Sequence, residues 1–332
     1  MDHWTQLSEL ISKSHKIILS THIDPDGDGL GSEIAFYLYL KSINKDVTIL
    51  NISDTPDKYK FLDENNYINI FSEDFEHVVE ESDLLIVFDL GDFSRIGKIG
   101  DIVIDNNIKS VNIDHHHLKD DSMYELSIVD TKSPSTTYMI WIYLNELGLA
   151  EKPLEHEMAL ALYSGLVNDT GSFRYSSVTS ESHLMAAHLL KSKINPNHVF
   201  SNIYENISLS KIKLKAELID SIKMFNNGQV AYAVISESMF TKTNSNHTAS
   251  DGFSEFIRGI KGVEIAFCIT ERENEYKISF RSDGKYSIND IAGLFGGGGH
   301  YFAAGCKIKK NDLNSSIEKI LNECNRKINN GN

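Results

Sequence analysis

Cysteine is scarce in this sequence. Cys268, Cys306 and Cys324 are its only thiols, widely spaced, and no CxxC pair exists. A disulfide framework or a thiolate zinc site is not expected, and a reducing compartment is. Basic charge is also short: 32 Lys and Arg stand against 47 Asp and Glu, a formal net charge of −15. Long nucleic acid is held through many Lys and Arg contacts to phosphate, so duplex DNA is not an expected partner. A small phosphorylated ligand fits, given metal ions or a few placed arginines as local positive charge. No apolar run approaches the ~20 residues of a membrane helix, so no membrane partner is expected. The start, MDHWTQLSELISKSHK, has no basic segment leading into an apolar core. It does not read as a secretion signal, and a cytoplasmic location is expected. Fixed-period repeats and low-complexity tracts are lacking too.

What is present is the balance of a globular protein, 41% hydrophobic and 24% charged residues in a chain of 332. That length suits two domains. The first half alternates short apolar runs with helical stretches. Strands are expected at Lys16–Ser20, Val47–Asn51, Leu84–Phe88 and Ser110–Ile113, and helices at Leu30–Lys41, Ser135–Leu147 and Leu154–Val167. This alternation predicts a doubly wound, mostly parallel sheet. The stretch 195–225 carries Lys, Glu, Leu and Ile at helical spacing and reads as a linker helix. Beyond it, strands are expected at Gln229–Ile235, Val263–Thr270 and Tyr276–Arg281, with helices at Ser287–Leu294 and Leu313–Asn325. The whole is an α/β protein: a catalytic domain over 1–190, a linker helix over 191–226 and a smaller α/β domain over 227–332.

Four polar segments carry the chemistry. KIILS leads into Thr21-His22-Ile23-Asp24-Pro25-Asp26-Gly27-Asp28, LLIVF into Asp89, SVNI into Asp114-His115-His116-His117, and GLVN into Asp169. In an open parallel sheet, ligands bind beyond the carboxyl ends of the strands. These turns are therefore expected to converge. Gathered carboxylates repel, and a divalent cation removes that cost. Mixed carboxylate and imidazole donors suit Mn²⁺, with Mg²⁺, Fe²⁺, Zn²⁺ or Co²⁺ compatible, while a site of oxygens alone would lean towards Mg²⁺ or Ca²⁺. Six donors exceed one tetrahedral site, so two metals sharing a carboxylate are expected, an arrangement suited to phosphoryl displacement. One such Asp alone would read as a turn or cap. A calcium loop fails, because no Glu stands twelfth from Asp24 or Asp26.

The motifs H-I-D-P-D-G-D-G-L-G-S at 22–32, F-D at 88–89, I-D-H-H at 113–116 and V-N-D-T-G-S-F at 167–173 resemble those of the DHH phosphoesterases. G-G-G-G-H-Y-F-A-A-G at 296–305 resembles the glycine-rich motif of their DHH-associated C-terminal domain. The resemblance implies one Mn²⁺ on His22, Asp26 and Asp89, and a second on Asp28, Asp89, His115 and Asp169. It implies that His116 contacts phosphate or the nucleophile and that Asp114 orients the histidines. Asp24 is taken as outer shell or incidental, and His117 has no role. In the second domain it implies nucleotide reading by Arg281, His300, Gly297, Gly298, Gly299 and Arg258. Tyr301 stands where many relatives carry proline.

Size and C-terminal domain resemble the subgroup that degrades very short RNA, including pApA and pGpG, and dephosphorylates pAp. Short RNA or a mono- or dinucleotide is then the partner, and a homodimer is compatible. The alternatives are a cyclic dinucleotide phosphodiesterase, a RecJ-like single-strand exonuclease and, outside the enzymes, a nucleotide sensor that retains metal.

Overall fold

A computed structural model describes residues 2–330. Contacts divide the chain into two units, Met1–Asn206 and Ile207–Asn332.

The first unit is a six-stranded sheet: β1 (Lys16–Thr21), β2 (Asp46–Asn51), β3 (Ile68–Ile70), β4 (Leu84–Phe88), β5 (Lys109–Asp114) and β6 (Leu126–Val129). Their order is β3-β2-β1-β4-β5-β6, with every neighbouring pair parallel. This is the doubly wound sheet expected from the alternating pattern. The unbroken apolar runs have a physical cause, since both faces of the sheet are covered. Leu84, Ile86 and Phe88 of β4 face a core that also holds Leu30, Ile34 and Phe36 of helix Gly27–Ser42 and Leu162 and Leu166 of helix His156–Asp169. Leu85 and Val87 point the other way, onto Ile99, Ile102 and Val103 of helix Gly97–Asp105. Alternation of period two thus survives as alternation between two cores.

The stretch 195–225 is not the single linker helix that its spacing suggests. It comprises helix Pro196–Phe200, a π turn over Ser201–Glu205, helix Leu209–Ser221 and a strand, β7 (Lys223–Phe225). The Ser208 hydroxyl accepts from Lys211 N and caps a new helix, which is why periodicity on both sides of the break reads as one run. The division between the two units falls within this stretch, after Asn206.

The second unit adds β8 (Val230–Ile235), β9 (Ile265–Glu271), β10 (Glu275–Ser282), β11 (Gly298–His300) and β12 (Ala303–Lys309). The sheet order is β11-β12-β10-β9-β8-β7, and only the β8–β9 pair is parallel. The smaller domain is therefore a mixed sheet. One face packs Ile278, Phe280, Ala304 and Cys306 with Ile320 and Cys324 of helix Leu313–Asn330. The other packs Ala231, Ala233 and Ala266 against Leu214 and Leu218 of helix Leu209–Ser221 and Phe253 and Ile257 of helix Phe253–Arg258.

Candidate metal centre

The strand order reverses direction of growth between β1 and β4, the switch point where such sheets open a crevice. His22 follows the last residue of β1, Asp89 follows β4, and His115 and His116 follow β5. Two helix ends complete the site. Asp26 is the N-cap of helix Gly27–Ser42, its Oδ1 accepting from the amides of Asp28 (2.9 Å) and Gly29 (3.3 Å). Asp169 is the last residue of helix His156–Asp169. His22, Asp26, Asp28, Asp89, His115 and Asp169 all come together.

Their donor atoms form two triads, His22–Asp26–Asp89 and Asp28–His115–Asp169, each with its atoms within 4.8 Å of one another. Asp89 faces both. Its Oδ2 lies 3.7 Å from His22 Nε2 and its Oδ1 lies 3.5 Å from His115 Nε2. His115 Nε2 is also 3.0 Å from Asp169 Oδ2 and 3.9 Å from Asp28 Oδ2. Asp89 adopts a left-handed backbone, φ 58°, sparsely populated for any residue but glycine.

Backbone carbonyls set the histidine rings. His22 Nδ1 lies 2.8 Å from the Ile23 carbonyl, and His115 Nδ1 lies 3.2 Å from that of Ser133. Each ring thereby turns Nε2 inward. His115 Nε2 is buried among the Asp169, Asp89 and Asp28 carboxylates with no well-aligned hydrogen bond, a cost that a cation would remove. Asp114 holds the neighbouring ring. Its Oδ1 accepts from His116 N (2.9 Å) and lies 2.9 Å from His116 Nδ1, while its Oδ2 accepts from Gly91 N (2.6 Å). His116 Nδ1 is also 3.0 Å from Asp89 Oδ1.

The electrostatics are those of crowded buried charge. Burial, then Asp169 and Asp89, push the Asp26 carboxyl up to about 6. The same three causes hold Asp28 well above the ordinary carboxylate range. Burial acts the same way on Asp89, but the three imidazoles beside it, His115, His116 and His22, outweigh it and hold its carboxyl well below. Burial opposes charge on His116, yet Asp114 and Asp89 push it up to about 10. A divalent cation suits such a donor set. It relieves the repulsion among the carboxylates and takes the place of protons on the imidazoles.

Sequence motifs do not reveal what holds Asp28. Its Oδ2 accepts from Thr136 N (2.6 Å), and its Oδ1 from Thr137 N (3.0 Å) and Thr137 Oγ1 (2.7 Å). Both threonines open helix Thr136–Glu146, whose N-terminal amides and dipole suit a carboxylate. A Cβ on Gly165 would collide with Thr137 and Asp28, so only glycine lets helix His156–Asp169 approach this closely. Asn168, which donates to Asp169 Oδ1 (3.0 Å), is held in turn by the Tyr59 hydroxyl (2.6 Å). The only local signal of these partners is Ser135-Thr136-Thr137, a run of helix-capping residues.

In the second unit, Arg281 on β10 pairs with Glu255 at 2.6 Å and donates to the Phe280 carbonyl at 2.7 Å. Gly298, Gly299 and His300 form β11, so the glycine tract is paired backbone and not a turn alone. A Cβ on Gly297 would meet the Gly305 carbonyl. Arg258 is the exposed last residue of helix Phe253–Arg258.

The fold and both motif sets define the class. The DHH family N-terminal domain matches residues 16–166 and the DHHA1 domain matches 227–330, so the chain carries a DHH domain followed by a DHHA1 domain. Its relatives include the bifunctional oligoribonuclease and PAP phosphatase NrnA of Thermus thermophilus, 28% identical over 92% of this chain and 88% of that protein. The protein of the same name from Bacillus subtilis is 27% identical, over 92% and 93%. The crystal structure of an exopolyphosphatase-related protein from Bacteroides fragilis matches with a TM-score of 0.90 at 25% identity, covering 97% and 96% of the two chains. Among the described residues, no helix is long and apolar enough to cross a membrane.

Proposed function

We propose that this chain, a hydrolase acting on phosphoester bonds, holds two divalent metal ions, Mn²⁺ foremost. We further propose that it cleaves short linear oligoribonucleotides such as pApA and pGpG to mononucleotides and dephosphorylates pAp to AMP. One observation carries the metal reading: the two oxygens of Asp89 face the two triads separately. His22, Asp26 and Asp89 would hold one ion, and Asp28, Asp89, His115 and Asp169 the other. A metal pair supplies charge neutralisation for a phosphoryl group and lowers the pKa of water.

The remaining residues act around that centre. Asp114 accepts from His116 Nδ1 and fixes the ring, so that Nε2–H of the imidazolium can donate to a phosphoryl oxygen. Thr136 and Thr137 orient Asp28 through three hydrogen bonds. In the second unit, Arg281 offers a planar fork for a phosphate, and Gly297–Gly299 let backbone amides approach an anion. Burial of the first set supports catalysis, and exposure of the second supports recognition. The short-substrate reading draws on the relatives named oligoribonuclease, which align over nearly the whole chain.

The test is Asp89→Ala, read by metal content and by turnover of pApA, pAp and a long single-stranded RNA with added Mn²⁺. The variant is expected to lose both ions and all turnover, while the wild type prefers pApA to the long strand. Full activity at normal metal content would sink the shared-carboxylate model. Preference for the long strand would move the protein to another substrate class within the same chemistry.

A further inference from the structure

The outer strands of the second sheet arrange their side chains in rows. Arg281 lies opposite Ala303, and Ala303 opposite His300. In the next row, Ser279, Gly305 and Gly298 lie opposite one another. One row further, Lys277 lies opposite Lys307. Directly opposite residues share a face, as do residues two apart along a strand. The three rows therefore lie on one face. The alternate residues, Ile278, Phe280, Ala304 and Cys306, are buried on the other.

The rows have unlike chemistry. The first presents a guanidinium and an imidazole with only a methyl between them. The middle row carries nothing larger than a serine, so a ligand backbone can approach the sheet closely. The last sets two lysines directly opposite one another, with side chains 46% and 68% exposed. Like charges directly opposite on a sheet cost free energy. Among the described residues their ion-pair partners are Asp251, exposed, at 3.9 Å from Lys277 and Glu275, half-buried, at 2.7 Å from Lys307. Exposed pairs of this kind contribute little. An anion over the lysine pair would offset the repulsion far better. Lys277 and Arg281 are four residues apart, roughly 13 Å of strand, which is more than one phosphate spans.

We propose that this face is a track for the phosphodiester backbone of a linear oligonucleotide. The Arg281–His300 row takes one phosphate, and Lys277 with Lys307 takes another further along the chain. The lysine pair then sets affinity for strands longer than a dinucleotide. The proposal rests on the oligonucleotide reading above and adds a length-selecting subsite to it.

The test uses the full chain with Mn²⁺ and the double variant Lys277→Gln, Lys307→Gln. Binding of a pentaribonucleotide is followed against salt, and kcat/KM is measured on the pentamer and on pApA. Loss of two single-strand phosphate contacts makes the log–log salt slope shallower by about 1.4, a loss of about 25-fold in pentamer affinity at roughly 0.1 M salt. The pentamer-to-dinucleotide ratio of kcat/KM is expected to fall with it. Lys319→Gln removes one lysine charge from helix Leu313–Asn330, where Lys319 lies over the Phe295 ring at 5.1 Å, and should leave that ratio as in the wild type. An unchanged pentamer affinity, or an equal loss on both substrates, overturns the track and leaves the lysines as guards of a sheet edge. If the wild type cleaves bis-p-nitrophenyl phosphate but neither nucleotide, the oligonucleotide reading and the track fall together.

Discussion

The two units handle charge in opposite ways. In the first, six donor residues crowd together, with Asp28 fully buried and Asp89 1% exposed, and each is held by a second group. In the second, the half-buried Arg281 and the two exposed, opposed lysines pair with carboxylates that are themselves 38–65% exposed. Burying charge is costly unless something pairs it, and a bound cation would repay that cost in every catalytic cycle. Surface charge costs little and exchanges partners readily. Rigid placement therefore falls to the unit proposed to do chemistry, and adaptable contact to the unit proposed to read the substrate. Substitutions should separate the two: in the first unit through metal content and kcat, in the second through KM.

The largest effect beyond the ligands themselves is expected at Thr137. Thr137→Val keeps the shape and the Thr137 amide bond but removes the hydroxyl that donates to Asp28. Outer partners of metal ligands are typically worth about 10- to 100-fold in affinity or activity. Mn²⁺ titration of the variant should show one weakened ion and one near-normal ion. Equal weakening of both would mean that Asp28 does not belong to a single triad.

Removing metal should turn the buried centre into a pH-dependent liability. In the metal-free fold, Asp26 titrates near 6 against an ordinary 3.8, and His116 near 10 against 6.5. A group whose folded pKa is raised stabilises the fold fully below its unfolded pKa and loses that contribution as pH rises through the folded value. Asp26 acts from about pH 4 to 6 and His116 from about 6.5 to 10. Asp89, with a lowered pKa, acts oppositely, but only below the ordinary carboxylate range. Chelated protein should therefore lose Tm as pH rises from 5 to 9, relative to the same protein with Mn²⁺. A chelated Tm that rises in parallel with the loaded one would show that the donors do not carry the shifted protons.

The same contrast explains what could be read from the sequence. The first sheet was legible because KIILS and LLIVF are short, unbroken apolar runs, as strands buried on both faces must be. Polar residues immediately after such runs lie at the carboxyl ends of parallel strands, so their convergence followed from topology. Thr136 and Thr137 were not legible as partners of Asp28, because the contact spans 108 residues and rests on helix packing. The break at Asn206–Ser208 escaped because helical periodicity resumes on its far side. β11 escaped because glycine has little strand preference of its own; its pairing with β12 is a tertiary fact. Glu255 was invisible as the partner of Arg281, since nothing local links a helix residue to a strand that follows it by two elements.

That last pair gives the smallest effect and the finest test of the contrast. Arg281 Nη2 lies 2.6 Å from Glu255 Oε1, with side chains 31% and 42% exposed. If recognition in the second unit depends on exchangeable partners, Glu255 competes with the substrate phosphate for the guanidinium. Glu255→Gln should then lower KM for pApA by about two- to fivefold, the scale of an exposed pair worth roughly 0.4–1 kcal/mol, with kcat unchanged. A raised KM would reverse the assignment. It would mean that Glu255 holds Arg281 in its binding pose, and that the second unit organises its cation as rigidly as the first organises its carboxylates.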